Sequence, residues 1–214
     1  MIIAVDGPAA SGKGSLAARL AAHYGLPHLD TGLLYRAVGL RVRLEGLRAN
    51  DTDAAISIAE SFDPAWLHHP ELRNREAGAM ASAIAVIPGV RKALRDYQQH
   101  FAMQEGGAVL DGRDIGTVIA PMAEVKLWVT ADAAVRAGRR FRELVARGQH
   151  VSEADILADL MRRDANDAPN MVPAADAVTI DTSAMDLNAV FARAVAIVEE
   201  RARAALAGDG VPSC

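Results

Sequence analysis

The sequence predicts an α/β fold, a three-layer sandwich in which a five-stranded parallel sheet lies between helices. Three observations support this prediction. Short apolar runs alternate with longer stretches of helical period, most of these runs end in an acidic residue, and a glycine-rich loop separates the first run from the first helical stretch. A chain of 214 residues can bury a sizeable core, so we predict a single domain over residues 1–214.

The predicted elements follow one another along the chain. Apolar runs bounded by polar or turn-forming residues predict the strands Ile2–Asp6, Leu26–Asp30, Ala108–Asp111, Val125–Thr130 and Ala177–Asp181. Stretches with apolar residues at helical spacing, several bounded by Pro, Gly, Asp or Ser, predict helices over 13–23, 31–47, 88–104, 132–147, 152–165 and 186–207. Residues 61–76 contain two prolines and no clean period, which predicts an irregular insert between helices.

The composition excludes several classes of protein. A net charge of −4 and an isoelectric point near 5.9 argue against a basic face for nucleic-acid polymers, although an arginine cluster could still bind a small anion. The lone cysteine, Cys214, argues against disulfides, a cysteine-based zinc site and a catalytic thiol. The six histidines, including His68-His69, lack acidic partners at metal-ligand spacing and are expected to be surface or structural residues.

The start of the chain bears on its location. It enters the first strand directly, without a charged leader, and the sequence contains no apolar run long enough to cross a bilayer. We therefore expect a cytoplasmic protein with neither a membrane nor a nucleic-acid polymer as partner, and we predict a monomer.

The loop after the first strand has the composition of a phosphate-binding loop. Gly7 and Gly12 permit backbone angles that a Cβ would forbid, so successive amides can point at phosphate oxygens. Lys13 would reach the β- and γ-phosphates of ATP, and Ser15 would place a hydroxyl near Mg²⁺, although the strict pattern has Ser or Thr where this chain has Gly14. The alternative is an ordinary glycine-rich turn. The predicted ATP-binding residues are Gly7, Pro8, Ala9, Ala10, Ser11, Gly12, Lys13, Gly14 and Ser15.

Further motifs follow the loop in a characteristic order. They are Leu29–Arg36 (LDTGLLYR), Ile87–Arg91 (IPGVR), Val109–Thr117 (VLDGRDIGT) and Pro173–Ala177 (PAADA). Together with the loop, these motifs resemble the bacterial cytidylate kinase family, and VLDGRDIGT is the most specific marker. The similarity runs from residue 2 to about 200 and is weak only around 50–75 and 164–172.

The resemblance implies a P-loop nucleoside-monophosphate kinase that transfers the γ-phosphoryl group of ATP to CMP or dCMP, with Mg²⁺ as cofactor. It also implies a small acceptor-binding insert at about 50–90 and a lid at about 139–168. In such a reaction the protein aligns the reactants and neutralises charge, so no general base or nucleophile is required. Asp111 would orient a water bound to Mg²⁺, which makes Ser15 and Asp111 the predicted metal site.

Several residues match positions that contact the acceptor in the family. Arg36 and Arg113 would gather the acceptor phosphate, because planar guanidinium groups suit phosphate oxygens. Thr31 would lie beside them, where its hydroxyl could contact the acceptor, cap a helix, or do both. Arg163 and Asp167 would contact the sugar.

The base would be read by a second group of residues. Arg91 would donate to N3 and O2 of cytosine, while Ser82 and Asp114 would accept from its amino group. Uracil would instead turn an acceptor towards Asp114 and a donor towards Arg91. Two mismatched buried groups are costly, so the resemblance implies a preference for CMP over UMP.

Arg136, Arg139 and Arg140 belong to a helix that leads into the lid in this family. At least one of them would contact the transferring phosphoryl group, whereas on composition alone the helix has an ordinary basic face. The resulting set of predicted catalytic residues is Lys13, Arg36, Arg113, Arg139 and Arg163.

The chain departs from the family pattern at two places on the acceptor side. The segment 164–172 is shortened and lacks an arginine, for which Arg162 and Arg163 are candidate substitutes, and the insert at 61–76 is brief. Two other functions therefore stay open. One is a kinase for another monophosphate, such as UMP or AMP, and the other is a nucleotide-binding regulator without efficient turnover.

Overall fold

The computed structural model describes residues 1–48 and 50–208, so Cys214 lies outside the described part of the chain. The strands are β1 (Ile2–Asp6), β2 (His28–Asp30), β3 (Ala108–Gly112), β4 (Val125–Thr130) and β5 (Val178–Asp181). The α-helices are α1 (Lys13–Tyr24), α2 (Thr31–Leu44), α3 (Thr52–Glu60), α4 (Arg75–Ile84), α5 (Pro88–Ala102), α6 (Ala133–Ala146), α7 (Glu153–Asp167) and α8 (Leu187–Gly208).

The five strands form one parallel sheet in the order β2-β3-β1-β4-β5, which confirms the predicted sheet. β1 lies at its centre, and all of its residues after Ile2 are buried. The register pairs Asp6 with Gly112 and Asp30 with Asp111. The carboxyl ends of β1, β2 and β3 therefore meet at the same edge of the sheet.

Helices cover both faces of the sheet because successive strand residues point to opposite sides. In β1, Ala4 belongs to a core shared with α2, α3, α4 and α5, whereas Ile3 and Val5 belong to a core shared with α1 and α8. In β3, Leu110 belongs to the first of these cores and Val109 belongs to the second. The predicted three-layer arrangement is therefore confirmed.

The helices α3 and α4 do not follow from the sequence pattern. The predicted irregular insert at 61–76 contains two short 3₁₀ turns, Pro64–His68 and Pro70–Arg73, and then the start of α4. Small residues form most of the buried faces of α3 and α4. These faces contain Ala55, Ile58 and Ala59 in α3, and Ala77, Ala81 and Ile84 in α4. Alanine gives a weak periodic signal, so these faces are easily missed in a sequence.

The helices α6 and α7 pack against each other around a small core of their own. Ala137 and Leu144 of α6 meet Ile156 and Leu160 of α7, and Ala9 of the loop after β1 joins this core. The segment predicted as a lid is therefore in direct apolar contact with the loop predicted to hold phosphate.

Among the described residues, no single helix is both long and apolar enough to span a bilayer, although Glu76–Ile84 and Pro88–Ala102, bent by 102° at the break between them, pass the same length and composition test when taken together.

The turn between β1 and α1 depends on two glycines for different reasons. Gly7 has φ +150°, and a Cβ there would lie 2.0 Å from the carbonyl oxygen of Val129. Gly12 has φ +93°, but no atom lies within 4 Å of the position of its missing Cβ. Close backbone approach restricts Gly7, whereas backbone conformation alone restricts Gly12.

These two sites predict unequal costs of substitution. Gly12→Ala should lower the free energy of unfolding by about 1–2 kcal/mol, the strain of a left-handed alanine. Gly7→Ala should cost clearly more, because the loop must also move away from Val129. Urea unfolding of both variants and the wild type measures the difference, and equal losses would contradict the steric explanation.

Candidate active site

The candidate site lies where the parallel strands end. Asp6 is the last residue of β1, Asp30 is the last of β2, and Asp111 lies one residue before the end of β3. The loop 7–12 leaves the same edge and leads into α1. Ligand sites in open parallel sheets form at this edge, because the loops there diverge and leave a crevice.

The loop after β1 has the backbone of an anion-binding loop. Ala10 and Gly12 have positive φ angles of 61° and 93°, and α1 begins at Lys13. This geometry directs amide groups inward and adds the positive end of a helix. Burial, and after it the positive charge of Arg113, lowers the pKa of Lys13 to about 8 against the opposing effect of Asp111 and Asp30.

Two carboxylates face this lysine from neighbouring strands. Burial raises the pKa of Asp30, and the negative charge of Asp111 adds to that increase. Asp111 is 3% exposed, and its Oδ1 lies 2.8 Å from Nε2 of His28. Its Oδ2 lies 3.5 Å from the position that a Cβ on Gly14 would occupy, so the carboxylate faces the first turn of α1. His28 thus holds a predicted site residue by a structural contact, which the spacing of the histidines in the sequence does not indicate.

Three arginines surround the acceptor side of the site. Burial lowers the pKa of Arg36 to about 10, and the positive charges of Arg163 and Arg140 contribute to that decrease. Burial also lowers the pKa of Arg163, with further contributions from Arg113 and Arg140. Arg36, Arg140 and Arg163 share one cavity of about 250 Å³, which is also lined by Ser82. Groups of like charge held together in a cavity favour an anionic ligand, because the anion relieves their mutual repulsion.

Each acceptor-side arginine makes hydrogen bonds within the protein. Nη1 of Arg36 donates to the carbonyl oxygens of Leu72 at 2.8 Å and Asn74 at 3.2 Å. Nε of Arg113 donates to Oδ2 of Asp167 at 2.8 Å, and Nε of Arg163 donates to Oγ of Ser82 at 2.9 Å.

These contacts give several of the predicted site residues partners within the protein. Arg163 and Asp167, predicted to hold the sugar together, have different hydrogen-bond partners. Ser82, predicted to contact the base, bonds to Arg163 rather than to Arg91 or Asp114.

Two of the three residues predicted to read the base, Arg91 and Asp114, face each other. Nη2 of Arg91 donates to Oδ2 of Asp114, and Nη1 of Arg91 donates to the carbonyl oxygen of Ala85. The guanidinium carbon of Arg91 lies 5.8 Å from the ring centre of Tyr35. The arrangement presents an acceptor and a donor next to each other beside an aromatic ring, which is suited to the edge of a planar base.

Thr31 corrects one sequence expectation. The N-cap of α2 is Asp30, so Thr31 is the first helical residue and does not cap the helix. Its hydroxyl instead donates to the carbonyl oxygen of Asp111 at 2.7 Å, and the residue is 4% exposed. The capping interpretation is therefore wrong, because the chain turns into the helix one residue earlier. Contact between Thr31 and a ligand stays a prediction.

The arginines of α6 differ sharply in their surroundings. Arg136 is 5% exposed, forms two hydrogen bonds with the carboxylate of Asp164, and donates to the carbonyl oxygen of Ala9 at 3.1 Å. Arg139, predicted as catalytic, lies apart from the acceptor-side arginines, because its guanidinium donates to Oγ1 of Thr182 at 2.8 Å and to carbonyl oxygens of the segment after β5. Arg140 is the arginine of this helix that lines the cavity.

Arg162 also lines the cavity, but its side chain is 65% exposed and pairs with Asp159. Its position is compatible with the suggested substitute role, which stays a prediction.

Asp6 has a role that the sequence pattern does not indicate. It is 6% exposed, and its two carboxylate oxygens accept from the backbone N–H groups of Ile115 at 2.9 Å and Gly116 at 2.8 Å. Burial raises its pKa to about 6, against the lowering effect of these two hydrogen bonds. The only signal in the sequence is its place at the carboxyl end of a strand, which Asp6 shares with Asp30.

The residues predicted to hold Mg²⁺ offer oxygen atoms of the right chemistry. Asp111 contributes a carboxylate beside the first turn of α1, and Ser15 is an exposed hydroxyl on that helix. In the described chain, no group of three or more His, Cys, Asp or Glu residues could hold a metal by itself. Mg²⁺ is commonly held by one or two carboxylates together with the phosphates of a nucleotide, and this donor set fits that mode.

Known proteins are similar to this chain in sequence over nearly its whole length. A family model described as cytidylate kinase matches residues 3–200. The chain is 57% identical over 205 residues to the cytidylate kinase of Xanthobacter autotrophicus, an alignment that covers 94% of this chain and 98% of that protein. It is 56% identical over 211 residues to the cytidylate kinase of Caulobacter vibrioides strain NA1000, covering 94% and 97% of the two chains.

Among solved structures, the crystal structure of an uncharacterized protein from Eubacterium ventriosum ATCC 27560 is similar in fold. The TM-score is 0.52 and the sequence identity is 15%, with 95% of this chain and 98% of that chain covered.

The buried carboxyl of Asp6 predicts a pH dependence of stability. Its folded-state pKa of about 6 exceeds the ordinary 3.8, so the folded protein binds this proton more tightly than the unfolded chain. The stabilising contribution is present below about pH 4 and is lost as the pH rises through about 6, by roughly 3 kcal/mol. The charges of Asp114 and Lys13 act on the same pKa in opposite directions.

Asp6→Asn removes this titration. The free energy of unfolding of the variant minus that of the wild type should therefore increase between pH 4 and pH 7, as measured by urea unfolding at a series of pH values. A difference that stays constant across this range would contradict the raised pKa.

Proposed function

This chain belongs to the cytidylate kinase family, and on that premise we propose that it transfers the γ-phosphoryl group of ATP to CMP or dCMP. The products are ADP and CDP or dCDP. The observation that carries the proposal is the meeting of two groups of cations. Lys13 at the end of the phosphate loop is close enough to Arg113 and Arg163 that their charges lower its pKa. A donor and an acceptor phosphate bound to these groups would be neighbours.

On the donor side, the loop amides and Lys13 bind the phosphates of ATP. The backbone of residues 7–15 supplies N–H groups and a helix amino end, and Lys13 supplies a mobile charge for the β- and γ-phosphates. Mg²⁺, when bound, neutralises charge on these phosphates, and Ser15 and Asp111 are the residues that would hold it. Asp111 is oriented for this role by His28 and by its position against α1.

On the acceptor side, Arg36, Arg113 and Arg163 bind the phosphate of CMP, with Arg140 approaching from α6. The repulsion among Arg36, Arg140 and Arg163 in their common cavity, and between Arg113 and Arg163, supports this assignment. An oxygen of that phosphate attacks the γ-phosphorus while the bond to the leaving oxygen of ADP breaks. The arginines hold the attacking group in line and neutralise charge on the transferring group.

The base is selected by Arg91 and Asp114. Asp114 accepts from the amino group of cytosine, and Arg91 donates to N3 and O2. The ion pair between these residues supports the assignment, because it holds the donor and the acceptor at one place before the ligand arrives. Asp167 and Ser82 complete the contacts to the sugar and the base after their present partners, Arg113 and Arg163, turn to the phosphate.

The helical segment Thr52–Ile84 would serve as the acceptor-binding insert, and α6 with α7 would serve as the lid. Arg36 supports the first assignment, since it reaches from α2 to the carbonyl oxygens of Leu72 and Asn74. We expect the enzyme to act as a monomer in the cytoplasm.

Lys13→Ala should abolish phosphoryl transfer while the protein stays folded, because Lys13 binds phosphate charge and lies outside the apolar cores. We expect the rate of ADP release with CMP to fall at least about 10²-fold, the scale for one removed transition-state contact. The melting temperature should stay close to that of the wild type. Near-normal turnover in the folded variant would show that the phosphate loop is misassigned.

The choice of acceptor tests the base contacts. The kcat/KM for CMP and dCMP should exceed that for UMP and AMP by about 10² or more, since a buried polar mismatch costs a few kcal/mol. In Asp114→Asn the amide can donate to O4 of uracil, so the CMP to UMP ratio should fall at least tenfold. A coupled assay for ADP release measures all four acceptors. Equal efficiency with AMP would overturn the cytidylate assignment, and ligand binding without turnover would favour a regulator.

A further inference from the structure

The backbone segment that carries Asp114 begins an unusual turn. Residues Ile115–Ile119 form a π-helical turn, and the carbonyl oxygen of Asp114 accepts from the N–H groups of Val118 at 2.8 Å and Ile119 at 3.2 Å. The first N–H groups of any helical turn have no acceptor within the turn. Here these groups belong to Ile115, Gly116 and Thr117. The first two residues are buried, so leaving their N–H groups without a partner would be costly.

Asp6 supplies both missing acceptors from a distant part of the chain. One carboxylate oxygen accepts from Ile115 and the other accepts from Gly116. The contact is tightly enclosed, since a Cβ on Gly116 would lie 3.2 Å from the side chain of Lys126 and 3.5 Å from Oδ2 of Asp6. Asp6 therefore acts as a cap for the turn, although more than one hundred residues separate it from the turn in sequence.

This cap leaves the side chain of Asp114 available. An aspartate at the start of a helical turn ordinarily caps that turn with its own carboxylate. Asp114 occupies this position but makes no such hydrogen bond, and its carboxylate pairs with Arg91. Without Asp6, the N–H groups of Ile115 and Gly116 would compete with Arg91 for the carboxylate of Asp114.

We propose that Asp6 is a positioning residue that holds Asp114 in the orientation needed to recognise the amino group of cytosine, and that it thereby sets the selectivity for CMP over UMP. This inference rests on the proposed function. It also links the two halves of the site, because Asp6 directly precedes Gly7 of the phosphate loop while its carboxylate fixes the loop that reads the acceptor base.

The first test is Asp6→Asn, which keeps the size of the side chain but offers one acceptor and sets an amide N–H against the other backbone donor. The KM for CMP should rise at least tenfold, the CMP to UMP ratio of kcat/KM should fall at least tenfold, and the KM for ATP should change less than threefold. A purely structural role would lower the activity with both acceptors and leave their ratio unchanged. The control is Val198→Ala, a cavity-forming change in the core on the α8 face, which should leave the ratio unchanged.

The second test asks whether Asp6 acts through Asp114. In the double variant Asp6→Asn, Asp114→Asn, the CMP to UMP ratio should equal that of Asp114→Asn alone, because the residue being positioned is already changed. Independent, multiplying effects on the ratio would overturn the proposal, as would an unchanged ratio in Asp6→Asn. If Asp6→Asn does not fold, Asp6→Glu keeps two acceptor oxygens but displaces them, and it should lower the ratio without raising the KM for ATP. An unchanged ratio in a folded Asp6→Glu would then overturn the proposal.

The wild type separates this inference from the function beneath it. A wild-type enzyme without any preference for CMP over UMP would overturn the proposed base recognition itself. A wild type that prefers CMP, together with an Asp6→Asn variant that retains the preference, would overturn only the role of Asp6.

Discussion

The concentration of positive charge at the carboxyl edge of the sheet is the constraint on which the rest of the site depends. Lys13, Arg36 and Arg163 all have lowered pKa values, chiefly because of burial and then because of neighbouring positive charge. Such an arrangement carries internal repulsion, which bound phosphate groups would relieve. The fold withstands this repulsion because the cations stand on different elements, each anchored in one of the two large apolar cores or in the small core between α6 and α7.

The carboxylates at the strand ends lie among these positive charges. Asp30 and Asp111 face Lys13 from neighbouring strands, and His28 holds Asp111 in place. The charge of Lys13 also acts on Asp6, but the carboxylate of Asp6 accepts from backbone amides beside Asp114. Three aspartates at one edge of the sheet therefore do not all have the same role. Because all three lie at or near a strand end, the partner of each carboxylate, and not its position in the strand, determines that role.

The sequence predicts those parts of the molecule whose requirements are local. Gly7 and Gly12 are needed by the backbone itself, and the apolar runs of the strands reflect burial on both faces, so the loop and the sheet can be read from the chain. The helices α3 and α4 escape detection because alanine forms much of their buried surface. The bond from Asp6 to Gly116 and the pair of Arg136 with Asp164 join distant segments, and no periodicity in the chain records them. Thr31 shows what a motif does not predict. The motif gives the position of the residue, but not the hydrogen bond from its hydroxyl to the carbonyl oxygen of Asp111.

In the proposed function, the contacts of the acceptor-side arginines favour a phosphate-bearing acceptor over an uncharged nucleoside. Arg113 is held by Asp167, Arg163 by Ser82, and Arg36 by backbone carbonyl oxygens, so each must exchange an existing partner for the ligand. An uncharged hydroxyl would replace one hydrogen bond by another of similar strength and gain little. A phosphate offers charge-assisted, bidentate contacts to several arginines at once, and it also removes the repulsion among them. In the proposed function, binding energy therefore arises mainly where the ligand carries charge, and the Arg91–Asp114 pair would select the base that accompanies that phosphate.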